Sequence, residues 1–390
     1  MRGWLDEADG RLIGFTLALK LLVLTGGVVA VSVYGSMQVH NLLNVLDIWN
    51  RWDAPHYLDV AVWGYRSVDN GTLVGPNGYR SVYPGDLPLY IVFYPLYPAF
   101  VGIFVWLTGQ PVLSAFIVTT AASLFVLPLL YRVARVDQPP GVAMRAAWFL
   151  IIFPTAYVLH IGYTESLFLA LVLGSFLSAH NQRWWLAGGL GGLAALTRIN
   201  GLILIPALMA EAATQWFTAR PEERRIRPEW AAIGLVGVGF AIYLGINQIV
   251  YGSPVEFLTI QHEHWFKELA PPWHGIASLI GVLSDPNPDR SLMYGGNELL
   301  FAGVGLVATV HAAVRLRPSY FTWMALNWLL FLSTSFVLSV PRYTLTLFPL
   351  FISLGLLTER RRWLTVLISL VFLGAFFNFG ARFANGAWAF

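Results

Sequence analysis

Apolar runs of about 20 residues recur along this chain from one end to the other, and they constrain it more than any motif does. A helix needs about 20 consecutive apolar residues to cross the hydrocarbon core of a bilayer. A chain built mostly of such runs has no way to hide them in water. They lie at 12–35, 89–109, 112–131, 143–160, 163–180, 184–212, 230–250, 298–314, 319–340, 343–358 and 363–380. Only 12% of the 390 residues are charged and 57% are hydrophobic, where a soluble domain carries about 25% charge. The expected fold is all-α and polytopic: a single membrane domain over 1–390, with about 10–12 transmembrane or re-entrant helices.

The composition also excludes some functions. There is no cysteine, so disulfides, thiolate zinc sites and cysteine nucleophiles are out of reach. A net charge of +3 gives no electrostatic footprint for nucleic acid. The run from Leu12 to Tyr34 is long enough for a first span and is not followed by a convincing cleavage site.

Two connections are long, 36–88 and 251–297, and connections of that length in a compact protein are usually functional. Arginines cluster in or beside the other connections: Arg132, Arg135 and Arg145; Arg183; Arg220, Arg224, Arg225 and Arg227; Arg315 and Arg317; Arg360, Arg361 and Arg362. Loops rich in arginine stay on the cytoplasmic side. The long loops are richer in acids: Asp47, Asp53, Asp59, Asp69 and Asp86 in the first, and Glu256, Glu263, Glu268, Asp285 and Asp289 in the second. Both are expected to face outward. That topology requires 89–109 to be re-entrant or paired, with Pro95 and Pro98 as its break. It also requires 184–212 to be a hairpin of two short helices, broken at Arg198, Asn200 and Gly201. It sets the first loop, the turn at 154–165, Arg198, the second loop and Arg342 on one face.

Several residues on that face can carry chemistry. Asp53, in Asn50-Arg51-Trp52-Asp53-Ala54-Pro55-His56-Tyr57, is either a general base, its pKa raised by the membrane surface and an aromatic neighbour, or a cap on a short helix before Pro55. Glu165, in Tyr163-Thr164-Glu165-Ser166, is an acid at a span boundary that needs a partner or a role, or a first-turn charge suited to the helix dipole. Arg198 lies in a hydrophobic stretch and is functional or a structural partner for an acid such as Glu165. The segment His262-Glu263-His264-Trp265-Phe266-Lys267-Glu268 offers two histidines at a spacing unlike the i, i+4 of helical metal sites. It suits a phosphate headgroup, an interfacial helix anchored by its aromatics, or both. Arg342 in Pro341-Arg342-Tyr343 is a site cation or an ordinary interfacial arginine. Three classes fit this pattern: a transferase with a lipid-borne donor, a transporter or flippase, and a receptor or scaffold. Transporters often show internal repeats and midplane charge; no repeat is evident here and the charges gather in the outer loops, which favours the enzyme.

The same stretches carry a resemblance. Arg51-Trp52-Asp53-Ala54-Pro55-His56-Tyr57 with Gly64-Tyr65, Phe93-Tyr94-Pro95-Leu96-Tyr97-Pro98, Phe153-Pro154 through Tyr163-Thr164-Glu165-Ser166, Leu196-Thr197-Arg198-Ile199-Asn200-Gly201 and Pro341-Arg342-Tyr343 occur in this order over positions 51 to 343. Together they resemble the PIG-V family, the GPI mannosyltransferase 2 group, in the form of its bacterial members, within the GT-C superfamily of membrane glycosyltransferases. The resemblance implies a GT-C-type fold and inverting transfer of mannose from a polyprenyl-phosphate donor to a lipid or glycolipid acceptor. It implies Asp53 as base, Glu165 as a second acid and no metal or other cofactor. Arg51, His56, Tyr57, Tyr163, Arg198, Asn200, His262, His264, Lys267, Arg342 and Tyr343 are then the expected substrate contacts, in a bacterial plasma membrane with the site on its outer face. Eukaryotic members act on a GPI precursor; nothing in this sequence identifies the acceptor.

Overall fold

The computed structural model of the protein describes residues 7–35, 37–68 and 73–390; Asp69 lies outside them. The described chain is helical, with an isolated bridge between Leu269 and Thr334 in place of any strand. In order the helices are α1 (Glu7–Tyr34), α2 (Leu42–Asp47), α3 (Asp53–Trp63), α4 (Leu96–Thr108), α5 (Pro111–Arg135), α6 (Pro140–Ile151), α7 (Glu165–His180), α8 (Trp184–Thr197) and α9 (Leu204–Thr218). Then follow α10 (Gly234–Tyr251), α11 (Glu256–Glu263), α12 (Pro272–Val282), α13 (Pro288–Arg290), α14 (Asn297–Arg315), α15 (Pro318–Leu332), α16 (Val340–Thr344), α17 (Pro349–Thr358) and α18 (Arg362–Ala384).

Among the described residues, 5 helical stretches are long and apolar enough to cross a membrane: Glu7–Tyr34, Pro111–Arg135, Pro228–Tyr251, Pro288–Arg315 and Arg362–Ala384. They leave large apolar side chains such as Leu21, Val33, Ile249, Val307 and Leu370 exposed. Surface of that kind is tolerable against lipid and costly against water. The protein is an integral membrane protein.

The polar contacts sort into two ends. At one, Arg132 pairs with Asp9, Arg317 bonds Asp137 and Glu211, Arg145 reaches the carbonyl of Glu359 and Arg227 bonds Gln182. This end gathers the arginine-rich connections. The other end holds Asp53, Glu165, Arg198 and Arg342.

The two broken segments can be followed between these ends. Arg198, just past α8, bonds Thr164 and Glu165 at the start of α7, whereas Gln215 on α9 bonds the carbonyl of Ala179 at the end of α7. The chain therefore reverses at 198–203, and α8 and α9 run in opposite directions. Segment 89–109 behaves differently. Tyr97, early in α4, meets Thr119 well inside α5, and α4 ends at Gly109, close to where α5 begins. Gly109 is left-handed, with φ +66, a conformation that costs glycine nothing. So α4 is a short helix laid against one half of α5.

Two expected spans are interrupted. The run 143–160 is not one helix: α6 stops at Ile151 and tight turns carry the chain past Pro154, which has no N–H to continue the ladder. The run 343–358 divides into α16 and α17, with Pro349 opening the second. The long connection 251–297 is mostly helical, and its α12 packs on α15 so closely that a Cβ on Gly275 would lie 2.4 Å from the carbonyl oxygen of Leu332. Elsewhere α8 crosses α10 and the turn that leads into it backbone to backbone: a Cβ at Gly239 would sit 2.1 Å from the Gly192 oxygen, and one at Gly188 1.9 Å from that of Ala232, just before α10. Small residues at such crossings let membrane helices approach and gain van der Waals contact.

Candidate active site

The site begins with a strained turn. Trp52 has φ +53, a region seldom occupied by residues other than glycine. The Tyr163 hydroxyl holds it: the Asp53 N–H donates to this oxygen (3.3 Å) and the hydroxyl donates to the Arg51 carbonyl (3.1 Å). Held there, Asp53 opens α3 in its first turn, and its side chain keeps 29% exposure. Strain preserved by its surroundings is a mark of functional sites.

Arg342 then arrives from α16. Its Nη1 lies 2.7 Å from Asp53 Oδ2 and its Nε 3.3 Å from Glu165 Oε1. Arg198 donates to the same Glu165 oxygen (2.5 Å) and to Thr164 Oγ1 (3.0 Å). Two acids and two guanidinium groups thus alternate in one chain, Asp53–Arg342–Glu165–Arg198. Glu165 Oε2 is buried without a hydrogen-bond partner, an acceptor left open beside the cations. The ring of Tyr343 lies under three cations at once, with Arg198, Arg342 and Lys267 at 5.3, 5.5 and 5.9 Å from its centroid. Tyr163 takes Arg342 on its face at 5.3 Å. Aromatic faces hold desolvated cations without neutralising them.

The charge state of Asp53 corrects the sequence-based expectation. Burial by itself would push its carboxyl up, but Arg342, His56 and Arg198 outweigh this and hold it below the ordinary carboxylate range. The decisive cation lies 289 residues away in sequence, beyond the reach of any reading of the local motif. His56, one turn along α3, is buried among Tyr83, Tyr90, Phe93 and Trp265. Burial lowers its pKa against the opposing pull of Asp53 and Asp86. Tyr57 packs edge-on against Phe93 and Tyr97.

The other expected contacts lie elsewhere. Arg51 points its guanidinium at the carbonyl of Ile48 and toward Gly386, and so braces the loop away from the acids. Asn200 is buried and bonds Asn327 on α15, clamping the reversal between α8 and α9. His262 is exposed and pairs with Glu268 at 2.8 Å, and His264 is exposed as well. The break after α11 turns Trp265 and Lys267 inward and leaves both histidines outside. Among the described residues no three His, Asp or Glu side chains gather as a metal site would need.

One residue was missed in the sequence. Glu298, fully buried in the first turn of α14, accepts the backbone N–H groups of Ser339 (2.7 Å) and Val340 (2.6 Å). It closes a turn in which Ser339 is left-handed at φ +70, and the short helix that follows carries Arg342 and Tyr343. The available signal was an acid at the first position of an apolar run, where a carboxylate needs a partner or a role.

No protein-family description matches the chain, and no curated protein matches it. Among solved structures, ArnT from Cupriavidus metallidurans in the apo state aligns with a TM-score of 0.49 and 16% identity, over 92% of this chain and 62% of ArnT. The Archaeoglobus fulgidus oligosaccharyltransferase in the apo form aligns with a TM-score of 0.46 and 12% identity, over 95% of this chain and 56% of the enzyme. The oligosaccharyltransferase AglB from Archaeoglobus fulgidus, in complex with an inhibitory peptide and a dolichol-phosphate, gives 0.42 and 11%, over 96% and 56%. The chain thus spans less than two thirds of the length of these proteins. Similarity this low carries no activity across, and the functional reading rests on the chain's own residues.

Proposed function

We propose that the protein is a membrane glycosyltransferase of the GT-C type. It moves mannose from a polyprenyl-phosphate donor to a hydroxyl of a lipid or glycolipid acceptor, at the extracytoplasmic face of a bacterial plasma membrane. The observation that carries this is the ionised Asp53 bonded to a buried Arg342, with Arg198, Lys267 and the open oxygen of Glu165 beside it. The motif resemblance supports the sugar and the carrier.

The transfer is a single displacement. The acceptor oxygen attacks the anomeric carbon and gives its proton to Asp53. The bond from that carbon to the phosphate oxygen breaks, and the phosphate leaves with the electron pair, inverting the centre. The cations Arg342, Arg198 and Lys267 oppose the charge that grows on the phosphate. A carboxylate held low by Arg342 is always ionised but is a weak base. When the donor phosphate draws the guanidinium, Asp53 loses its counter-ion and its basicity rises toward the useful range. Donor binding therefore arms the base. Glu165 keeps Arg198 oriented and offers Oε2 to a sugar hydroxyl.

The test is an assay of purified protein with radiolabelled polyprenyl-phosphate mannose and extracted membrane lipids. Label should move to a lipid, and Asp53→Asn should abolish the transfer while the protein still binds donor. Arg342→Ala and Lys267→Ala should weaken donor use. Solute flux across liposomes with no transfer of label would instead identify a transporter or flippase.

A further inference from the structure

A large groove has its polar mouth away from this site. It runs between α5 and α7, is flanked by α4 at one end and α8 along one side, and has a volume of about 850 Å³. On α7 its wall is a stripe of small residues, Ala170, Gly174 and Ser178, at the i, i+4 spacing that shares a helix face. Facing them, Phe125 of α5 is exposed rather than packed into the gap. From Val118 to Arg132, α5 borders the groove for about 21 Å, at 1.5 Å per residue, roughly two thirds of the ~30 Å hydrocarbon core.

The groove is polar at one end only. Ser178, Asn181, Arg183 and Arg132 meet there, at the end of the protein that gathers the arginines. Arg132 already pairs with Asp9, while Arg183 is exposed beside it, so this mouth is net cationic. Basic pockets between spans are suited to lipid headgroups, and a guanidinium fork matches phosphate oxygens. An apolar trough inside a bilayer fills with hydrocarbon; a cationic mouth selects which chain stays. A polyprenyl donor would bring its phosphate to Arg342, at the opposite end of the molecule. The groove's charge therefore faces lipids of the other leaflet.

We propose that this groove is a binding site for an anionic phospholipid, with one acyl chain along α5 and α7 and the phosphate at Arg183 and Arg132. The site does not depend on the glycosyltransferase reading.

The test uses the full chain purified in detergent, stripped of lipid and titrated with phosphatidylglycerol, phosphatidylcholine or a polyprenyl phosphate, with bound lipid counted by native mass spectrometry. Wild type should retain one phosphatidylglycerol in clear preference to phosphatidylcholine. Arg183→Ala should lower that occupancy about fivefold and erase the preference. Ala121→Trp, at an exposed position on the groove wall, should block both phospholipids while leaving the melting temperature of the lipid-free protein unchanged. Equal retention of both phospholipids by wild type, or unchanged occupancy in both variants, would overturn the proposal. So would polyprenyl phosphate displacing phosphatidylglycerol in an Arg183-dependent way, which would make the groove part of the substrate path.

Discussion

Asp53→Asn separates the two jobs that the proposed mechanism gives to one side chain. The substitution removes a single charge from a chain of two acids and two arginines. Opposite charges about 4 Å apart attract by roughly 4 kcal/mol at the effective dielectric that suits pairs near a protein surface. Most of that is offset. Asp53 keeps 29% exposure, so its ionised form was never fully desolvated. The amide oxygen can still accept from Arg342, and Arg342 retains Glu165 at 3.3 Å. The net loss of stability should be about 1–2 kcal/mol. Loss of a general base costs about 10²–10⁴ in rate, or roughly 3–5 kcal/mol on the barrier. Asp53→Asn should thus be folded, donor-competent and nearly inactive. The assay pairs single-turnover transfer at saturating donor with equilibrium donor binding and thermal melting in detergent. Adding Arg342→Met should restore part of the stability, since the pair is then removed together, but none of the turnover. Turnover within tenfold of wild type, alongside a lowered melting temperature, would refute the base and leave Asp53 as a counter-ion for Arg342.

The remaining expectations concern the supports of the site. Glu298→Gln turns an amide N–H toward a backbone N–H that now donates to a carboxylate; a loss of about 1–3 kcal/mol in stability is expected, with weaker donor binding as α16 shifts, and wild-type donor affinity would separate this turn from the site. Gly239→Leu should prevent α8 and α10 from closing, at a cost of several kcal/mol by overpacking, and a variant that melts with wild type would show that the crossing is looser than described. Burial pushes the Asp59 carboxyl up to about 6, against the bonds from Ser81 and Tyr79 that pull it down. A carboxyl raised by folding stabilises the fold while protonated, so its contribution is full in acid and is lost as pH rises through about 6. Amide exchange across 73–86 should accelerate over that range, and Asp59→Asn should flatten the response. Chelators should leave transfer unchanged, because protein cations meet the leaving phosphate; restoration of a chelated enzyme by a divalent ion would contradict this.

The periodic and chemical parts of the site could be read from the sequence, whereas the pairings could not. Long apolar runs report spans because hydrocarbon leaves a backbone no other satisfied form. Arginine in the short connections marks those connections as sharing one end of the molecule. Asp53, Glu165, Arg198, Lys267 and Arg342 stood out because charge beside or within such runs is expensive. His262 and His264 were drawn in by their neighbours, yet the turn after α11 leaves them in solvent. Asn200 looked like a ligand and bonds Asn327 instead. A local motif does not encode which way a side chain leaves a broken helix.

What the sequence determined by itself is the solvent of this protein, its helical character, and the few polar residues that the bilayer would not tolerate without a purpose. The tertiary structure alone decided how those residues act on one another. It set Arg342 against Asp53 across 289 positions, reversed the expected shift of the Asp53 carboxyl, and recruited Glu298 to close the turn that delivers the arginine. The reason is physical. Hydrophobicity is a property of each segment and adds along the chain, whereas the energy of a charge depends on distances to partners that only packing brings within a few ångströms.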